Sequence, residues 1–596
     1  MDKRELFALA LIAAVALSLS FSSLGLGHLL TQESFGNALL AESAAKGEGG
    51  GGPLHQLEAE LYERAAAYSG ADRFDLETNE TVLRFLPGLL AITAVVGTYF
   101  AVRGFYGMAE SALSALLFAS SIAFVSVYLS GVFVPASLGL ALFTVGAAAY
   151  AQAVRRGRPE LGLGGAVLFI LSLISWNYSV LMLAALAVGA LAQLVADELS
   201  GGRRTKLAYA TAAALAPPLV SLAFIGVSVN GAPSTAPFIQ SHLLLLPLLL
   251  FALLAAAGRL SGVFERMEWD AMVPAHLLAS AAAGLLSPLT ALPGFALSSA
   301  YAVEAVEGLA GRRRIALFVC GAAAFYAALV MMLSMMELTS ALVLALLLGA
   351  AGAFVASMAD RRELGGYATL SVTGVVLFAS LFTAISAAHY QEDPVDPELG
   401  AATAWLAENG SGKVAAPFDP EMVAFLSQRE VEGNTSVVRE FLLTNGSVEQ
   451  LRALGIKYVM IDYTAFDRLE EMKNSTGIGA VRMESFAFAG VASGERGTRY
   501  AAFVAPSGKR AFLPLTETDS FDLSADALLI DPYGGQRRVS AARFLFLRDS
   551  QGVIFRAVFP YENYDVNLFN AFFGKVNGLR QVFPEKDGMV RVFEVE

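Results

Sequence analysis

The sequence predicts a polytopic α-helical membrane domain of about thirteen transmembrane helices, followed by an extracytoplasmic mixed α/β domain with a β-rich distal half. Composition is the first observation behind this fold class, since 56% of the 596 residues are hydrophobic and only 16% are charged. Sets of soluble domains are less apolar than this. The second observation is that long apolar runs recur from residue 6 to residue 387. The third is that later runs are short and separated by polar turns, as strands and short helices are.

Thirteen apolar runs can be transmembrane helices, which need about 20 largely apolar residues. Their approximate bounds are 6–23, 85–102, 109–129, 132–153, 161–175, 178–196, 207–228, 241–258, 271–287, 291–309, 315–334, 338–358 and 366–387. With Lys3 and Arg4 in the cytoplasm, the short loops on the other side contain no lysine or arginine, whereas the cytoplasmic loops do. This agreement with the positive-inside rule puts residues 24–84 and 388–596 outside the cytoplasm. The first run could also be a cleaved signal peptide, but its length favours an uncleaved helix.

The residue content excludes several classes of site and partner. The single cysteine, Cys320, lies in an apolar run, which leaves no disulfide framework, redox pair or thiolate zinc site. Residues 24–84 contain 4 basic and 10 acidic residues, and residues 388–596 contain 21 and 29. Neither block has the basic stripe that a nucleic-acid partner requires, so no nucleic acid is expected. The chain also has no Gly-rich phosphate loop, HExxH motif or G-x-S-x-G motif.

Residues 24–84 are predicted to contain a flexible tether and an amphipathic helix. The tether is the Gly-rich stretch at 44–53. After it, Leu54, Leu57 and Tyr62 recur at helical spacing, with Glu58 on another face. We therefore expect this helix to lie near the membrane surface.

The segment ADRFDLETNE at 71–80 brings several carboxylates close together. Asp72, Asp75 and Glu77 are candidate ligands for a divalent cation, because hard cations prefer carboxylate oxygens. The alternative is a solvated acidic turn that caps no helix.

Residues 388–596 are predicted to form two domains after the transmembrane domain at 1–387. In 388–480, helical stretches alternate with the apolar strands KVAAP and IKYVMIDY, which is typical of an α/β layer. In 481–596, the runs are short, β-branched or aromatic, and separated by Gly, Pro and Asp turns. This pattern predicts antiparallel β-structure.

Half of the asparagines begin the N-x-S/T acceptor motif of N-glycosylation. Six of the twelve do so, whereas about one in eight is expected by chance. We predict glycosylation at the five that fall in the two outside blocks, which are Asn79, Asn409, Asn434, Asn445 and Asn474. The sixth, Asn177, lies at a short outside turn. The alternative is that Asn-Gly-Ser and Asn-Ser-Thr are only turn sequences.

Several stretches resemble, in the same order, the catalytic-subunit family of oligosaccharyltransferases, which are GT-C glycosyltransferases. They are FLPGLLAITAVVGTYFAVRGFYG at 85–107, LISWNYSVLML at 173–183, TAWLAENGSGKVAAPFD at 403–419 and LRALGIKYVMIDY at 451–463. The resemblance implies transfer of a glycan from a polyprenyl-phosphate carrier in the membrane lipid to an asparagine of a polypeptide acceptor. It also implies a divalent metal, Mn²⁺ or Mg²⁺, and an archaeal-type cell membrane with the C-terminal domain extracytoplasmic.

The family's WWDYG motif, which recognises the hydroxyl residue of the acceptor, aligns with PFDPE at 417–421. The resemblance therefore implies acceptor contacts from Phe418 and Asp419. Only the aspartate is retained, since Phe418 has no indole N–H and the two prolines remove backbone donors. Pockets that recognise a hydroxyl depend on paired donors and acceptors, so these changes weaken recognition.

Two further elements of the family are missing. The loop after the third span, YLSGVFVPASLGL, contains no carboxylate, and the loop after the ninth span is reduced to SPLTALPG. Because metal-assisted transfer needs carboxylates, Asp72, Asp75 and Glu77 are the remaining candidate ligands, with Glu337 a more distant one.

Three functional hypotheses follow. The first is a divergent glycosyltransferase that uses a polyprenyl-phosphate-linked glycan at the extracytoplasmic face. The second is a catalytically inactive GT-C homologue that binds the lipid carrier or partner proteins, which the lost carboxylates and the altered motif favour. The third is a transporter, which has the least support because Glu304 and Glu307 lie near a cytoplasmic helix end and no internal repeat is found.

Overall fold

The computed structural model contains two compact units, Met1–Asp393 and Pro394–Glu596. In the first unit it describes residues 3–23, 28–46, 51–69, 75–199, 205–225, 272, 275–276, 279–280, 283, 288–294 and 297. In the second it describes 395–596 except 479–482, 494–498, 506, 517–520, 549–553, 562–565 and 585–587.

The described residues of the first unit form helices. The longer ones are α1 (Lys3–Ser20), α2 (Gln32–Ala45), α3 (Pro53–Ser69), α4 (Leu76–Arg103), α5 (Met108–Ala119), α6 (Ile122–Tyr128), α7 (Pro135–Arg156), α8 (Pro159–Ser175), α9 (Ser179–Leu199) and α10 (Thr205–Ile225). A 3-10 turn, Pro288–Ala291, lies further along the chain.

Three of the described helices are long and apolar enough to cross a membrane. They are Leu76–Arg103, Pro135–Arg156 and Ser179–Glu198. The segments Glu110–Ala119, Pro159–Ser175 and Leu207–Leu222 are apolar but shorter. The predicted helical, apolar character of the first unit is thus confirmed. The count of thirteen spans stays a prediction, because the spans predicted from residue 241 onward lie largely or wholly outside the described residues.

The third predicted span, 109–129, is two helices and not one. Helix α5 ends where the backbone N–H of Ser120 bonds to Leu116 and Phe118 oxygens. The hydroxyl of Ser121 then accepts from the backbone N–H of Phe124 at 3.2 Å and so caps α6. Consecutive serines break the span because their side chains offer the backbone an alternative to continuous helical bonding.

Helices α4, α7 and α8 approach each other closely through glycines. A Cβ atom on Gly97 of α4 would lie 2.7 Å from the Thr144 hydroxyl of α7. A Cβ atom on Gly146 of α7 would lie 2.8 Å from the Phe169 ring of α8. Both contacts are shorter than van der Waals distance, so small residues set this packing, as is common between membrane helices.

Helix α3 confirms the predicted amphipathic helix, but it buries a carboxylate that the pattern placed on a polar face. Leu54 and Tyr62 are buried, and Leu57 is half-buried. Glu58 is 0% exposed, and its two carboxylate oxygens have no hydrogen-bond partner among the described residues. The expectation for Glu58 was wrong because α2 packs on α3 and places Glu42 near it.

Eleven strands and seven short helices form the described part of the second unit. The strands are β1 (Lys413–Ala415), β2 (Ile456–Asp462), β3 (Met483–Ser493), β4 (Arg499–Val504), β5 (Arg510–Pro514), β6 (Asp526–Ile530), β7 (Gln536–Ser540), β8 (Leu545–Arg548), β9 (Ile554–Pro560), β10 (Leu579–Phe583) and β11 (Val590–Val595). The helices are α11 (Pro397–Asn409), α12 (Pro420–Ser427), α13 (Thr435–Leu443), α14 (Glu449–Ala453), α15 (Thr464–Asp467), α16 (Leu469–Thr476) and α17 (Asn567–Phe573).

The strands pair into two sheets. One has the order β1-β2-β11-β10, with β1 parallel to β2 and the other pairs antiparallel. The other is antiparallel, with the order β7-β6-β5-β4-β3-β9-β8. The predicted mixed α/β unit with a β-rich distal half is confirmed. The division at residue 480 stays a prediction, although β11, at the end of the chain, pairs with β2.

Asn567, at the start of α17, joins the distal half of this unit to helix α13. Its side-chain amide donates to the carbonyl oxygens of Phe441 and Gly446, both at 3.0 Å. Its backbone N–H donates to the Thr444 carbonyl at 2.8 Å. Asn567 is 2% exposed, so these bonds are shielded from water. The end of α13 is therefore bonded to a segment more than a hundred residues later.

Asn567→Ala should destabilise the second unit, because two buried carbonyls would lose their donor. We expect a loss of about 1–3 kcal/mol in the free energy of unfolding, measured by thermal unfolding of the full chain in detergent. Asn577→Ala is the control, since Asn577 is exposed. Equal melting temperatures for the two variants would contradict the role given to Asn567.

Glu58 should make the stability of the chain fall as pH rises. Burial, reinforced by the charge of Glu42, raises the pKa of Glu58 from 4.5 to about 8. A carboxyl group whose pKa is higher in the folded state than in the unfolded state stabilises the fold fully at pH values below its unfolded-state pKa. This stability is lost as pH rises to its folded-state pKa. Between pH 5 and pH 8 the loss should be on the order of 3 kcal/mol.

Glu58→Gln should remove this part of the pH dependence, since glutamine carries no proton to lose. Melting temperatures across pH 5 to 8 in detergent would measure it. Glu60→Gln, at an exposed position of the same helix, is the matched control and should retain the wild-type profile. Parallel profiles for wild type and Glu58→Gln would refute the assignment.

Candidate functional site

The segment aligned with the WWDYG motif is a tight loop between β1 and α12. Asp419 has φ 48° and ψ 47°, in the left-handed region, and Pro420 begins α12. Aspartate tolerates this conformation better than most residues with a side chain. Gln428, at the other end of α12, is also left-handed, with φ 53°. The loop therefore turns sharply at the retained aspartate.

Phe418 lies inside the unit and not at its surface. Its side chain is 3% exposed and packs in the core that contains β2 and helices α13 and α16. Two guanidinium groups lie over its ring, with the Cζ atom of Arg468 at 3.8 Å and that of Arg439 at 4.7 Å from the ring centroid. The arginine side chains are 33% and 12% exposed, and cation–π contacts at exposed sites are worth about 0.5–1 kcal/mol each.

The carboxylate of Asp419 is paired with Arg468. The Oδ2 atom of Asp419 accepts a hydrogen bond from Nη1 of Arg468 at 3.3 Å. The Asp419 side chain is 28% exposed. Arg468 also donates to Glu471 from Nε at 2.8 Å and from Nη2 at 3.2 Å. Arg439 donates to Glu471 at 3.1 Å and to the Pro417 carbonyl at 2.8 Å. We call Phe418, Asp419, Arg439, Arg468 and Glu471 the Arg468 cluster.

The charges of the Arg468 cluster stabilise each other. Hydrogen bonds from Arg468, together with the charge of Arg439, lower the pKa of Glu471. Burial alone would lower the pKa of Arg468, but its bonds to Glu471 and the charge of Asp419 raise that pKa overall. A guanidinium keeps its charge at any ordinary pH. The ion pairs therefore hold the loop in place across the physiological range.

This arrangement changes what the predicted acceptor site can do. The structure places Phe418 and Asp419 together, as predicted, but the ring is covered by arginines and the carboxylate already accepts a hydrogen bond. A hydroxyl could approach only the exposed part of Asp419. Sequence patterns did not identify Arg439, Arg468 and Glu471, whose only local sign is the i, i+3 spacing of Arg468 and Glu471.

Asp75 is the N-cap of α4, so the interpretation of this segment as an acidic turn that caps no helix was wrong. Its carboxylate accepts from the backbone N–H of Glu77 at 3.3 Å and of Thr78 at 3.2 Å, and also from the Thr78 hydroxyl. These bonds, led by the Thr78 hydroxyl, lower the pKa of Asp75. Capping moves the start of α4 back from residue 85 to Leu76.

The described residues do not fit the predicted divalent metal. Asp75 uses its oxygens as a cap, and Glu77 lies in the first turn of α4. Asp72 and Glu337 lie outside the described residues. Within the part of the chain that the structure describes, no three His, Cys, Asp or Glu side chains converge on a metal position. We therefore assign no chemical step to a metal ion.

The predicted glycosylation sites fall into two groups. Asn409, Asn434, Asn445 and Asn474 are exposed. Asn79 is 0% exposed inside α4, and its side-chain nitrogen and oxygen have no partner among the described residues. The prediction for Asn79 does not fit this burial, because an attached glycan needs open space.

No protein-family model matches the chain, and no curated protein matches it either. Solved structures of the archaeal oligosaccharyltransferase AglB from Archaeoglobus fulgidus match the chain. The complex with an inhibitory peptide and a dolichol-phosphate is 13% identical, with 97% of this chain and 79% of that chain covered and a TM-score of 0.54. The form tethered to an acceptor peptide containing the NVT sequon is 14% identical. The match covers 98% of this chain and 79% of that chain, also with a TM-score of 0.54.

A third structure of the same enzyme, in complex with Zn and sulfate, is 14% identical. The match covers 85% of this chain and 75% of that chain, with a TM-score of 0.52. At these identities the likeness establishes a fold and not an activity. The resemblance drawn from the sequence is thus confirmed at the level of the fold, which is similar to that of these oligosaccharyltransferase structures.

Proposed function

We propose that the protein is a membrane glycosyltransferase related to oligosaccharyltransferases, which transfers a glycan from a polyprenyl-phosphate carrier to a polypeptide acceptor at the extracytoplasmic face. The observation that carries the proposal is the extent of the shared fold, which covers 97% of this chain in one AglB structure and 98% in another. Those structures contain a dolichol-phosphate or an acceptor peptide. The proposed donor and acceptor belong to the same two chemical classes.

In such a transfer the bond between the sugar C1 and the phosphate oxygen breaks, and a bond from C1 to the acceptor forms. The leaving phosphate takes the electron pair, and the acceptor loses one proton. Both carboxylates of the Arg468 cluster are partly exposed, Glu471 at 46% and Asp419 at 28%, and Asp419 is the one at the position aligned with the motif. We assign it the positioning of the acceptor, by hydrogen bonding. Mn²⁺ or Mg²⁺ is the proposed cofactor, with no ligand assigned.

The Arg468 cluster favours a second function, a non-catalytic GT-C homologue that binds the lipid carrier or a partner protein. Phe418 is 3% exposed and lies under two guanidinium groups, so its ring cannot contact an acceptor while the cluster is formed. A retained fold with a closed recognition loop is what a binding protein derived from an enzyme would show.

Turnover separates the two functions. The full chain in lipid nanodiscs would be given a polyprenyl-phosphate-linked glycan, a sequon peptide, and Mn²⁺ or Mg²⁺. We expect glycopeptide by mass spectrometry, and a loss of at least tenfold in rate for Asp419→Asn, which keeps the shape but not the charge. Carrier binding without glycopeptide would support the second function. The absence of both turnover and carrier binding would contradict both proposed functions.

Asp75 variants serve as the control for metal binding in the same assay. Asp75→Asn should retain stability and turnover, because asparagine caps helices as well as aspartate does. Asp75→Ala should lose about 1 kcal/mol of stability. If Asp75→Asn abolished turnover with an unchanged melting temperature, Asp75 would be a ligand and its assignment as a cap alone would be wrong.

A further inference from the structure

The six N-x-S/T motifs differ in how the fold presents them. Attachment of a glycan needs an exposed asparagine and an exposed hydroxyl residue two positions later, with the chain after the asparagine outside a helix. We propose that Asn409 and Asn445 of this chain carry N-linked glycans and that Asn79 does not. This concerns what the chain receives and so goes beyond the proposed function, which concerns what it transfers.

Asn445 lies in a loop well suited to modification. Residues 444–448 connect α13 to α14 without helix or strand, and Asn445, Gly446 and Ser447 are all exposed. The Ser447 hydroxyl accepts a long hydrogen bond, 3.3 Å, from the backbone N–H of Glu449, which an approaching enzyme can replace. The side chains of the motif therefore lie at the surface, while the Gly446 carbonyl accepts from the buried Asn567 amide at 3.0 Å.

Asn409 ends α11, and its motif leaves the helix at once. Gly410 has φ −71° and ψ 144°, which is extended backbone. Asn409 and Ser411 are exposed, and the Ser411 hydroxyl accepts a hydrogen bond at the surface from the Nζ atom of Lys457 at 2.6 Å. The Asn409 amide donates to the Trp405 carbonyl at 3.1 Å, a bond at the helix surface that water or an enzyme can replace. This motif has the same Asn-Gly-Ser sequence as the one at Asn445.

Asn79 is the internal contrast. It lies in the first turns of α4, and Thr81, two residues later, is in the same helix. The side chain is 0% exposed. Tyr62 of α3 accepts the backbone N–H of Asp75 at 2.9 Å, which fixes α3 against this end of α4. A sugar at Asn79 would have to separate packed helices.

The remaining motifs are exposed at the asparagine but restricted elsewhere. Asn434 immediately precedes α13, whose first residues complete its motif. Asn474 lies within α16, and the Thr476 hydroxyl donates to the Met472 carbonyl at 2.9 Å. At Asn177 the third residue, Ser179, is 1% exposed. We expect lower occupancy at Asn434 and Asn474 than at Asn409 and Asn445.

The chemistry needs a polyprenyl-phosphate-linked glycan and an oligosaccharyltransferase of the same cell as co-reactants. The bond between sugar C1 and phosphate oxygen breaks as a bond from C1 to the asparagine Nδ2 forms. The Nδ2 atom loses one proton, which the released phosphate takes up. No oxidation or reduction occurs.

Peptide mass spectrometry of the full chain, purified from the cell that naturally makes it, tests the proposal. We expect a glycan on the peptides containing Asn409 and Asn445, and bare peptide at Asn79. Ser447→Ala should remove the glycan from Asn445, whereas Ser447→Thr should keep it and Asn409 should be unaffected by either. Both variants change an exposed loop residue, so folding should be retained.

Unmodified Asn409 and Asn445 in that chain, or a glycan on Asn79, would overturn the proposal. Persistence of the glycan in Ser447→Ala would also overturn it, because attachment would not depend on the motif. The result is independent of the proposed function, since a chain without turnover can still be modified by another enzyme.

Discussion

The contact of Arg468 with both Phe418 and Asp419 determines the state of the candidate site. One guanidinium covers the ring at 3.8 Å and binds the carboxylate at 3.3 Å, while its other donors hold Glu471. The backbone of Asp419 is in the left-handed region, a conformation whose free-energy cost contacts with the surroundings must offset. The ion pair and the ring contact supply that support. The conformation of the loop therefore depends on whether this contact is formed.

Fold and site therefore lead to different expectations for function. The helical unit and the mixed α/β unit have the fold of an oligosaccharyltransferase over nearly the whole chain. A fold of this kind limits what a protein can bind, but chemistry depends on particular side chains. At the motif position those side chains form an ion pair and cation–π contacts with each other. The protein thus combines the fold seen in oligosaccharyltransferase structures with a loop at 417–421 whose aromatic ring and carboxylate are in contact with its own arginines.

Much of the fold could be predicted from the sequence because local patterns decide it. Spacing of Leu54 and Tyr62 located α3, and the apolar runs located α4, α7 and α9. Patterns failed where another signal competed with hydropathy. Ser120 and Ser121 broke a predicted span, and Asp75 started α4 earlier by capping it. Glu58 was misplaced because periodicity cannot show that α2 covers it. Arg439 and Arg468 lie 20 and 49 residues after Asp419, and only the folded chain brings them to it.

Hydrogen exchange at the motif loop tests the central interpretation most directly. Exchange of backbone amides in peptides spanning residues 414–426 would be compared between wild type, Arg468→Ala and Arg452→Ala, in which an exposed arginine is changed. A loop held by Arg468 should be protected in wild type and in Arg452→Ala, and should exchange at least tenfold faster in Arg468→Ala. Rapid exchange in wild type, or equal rates in all three proteins, would show that the loop is open and that the Arg468 cluster does not hold it.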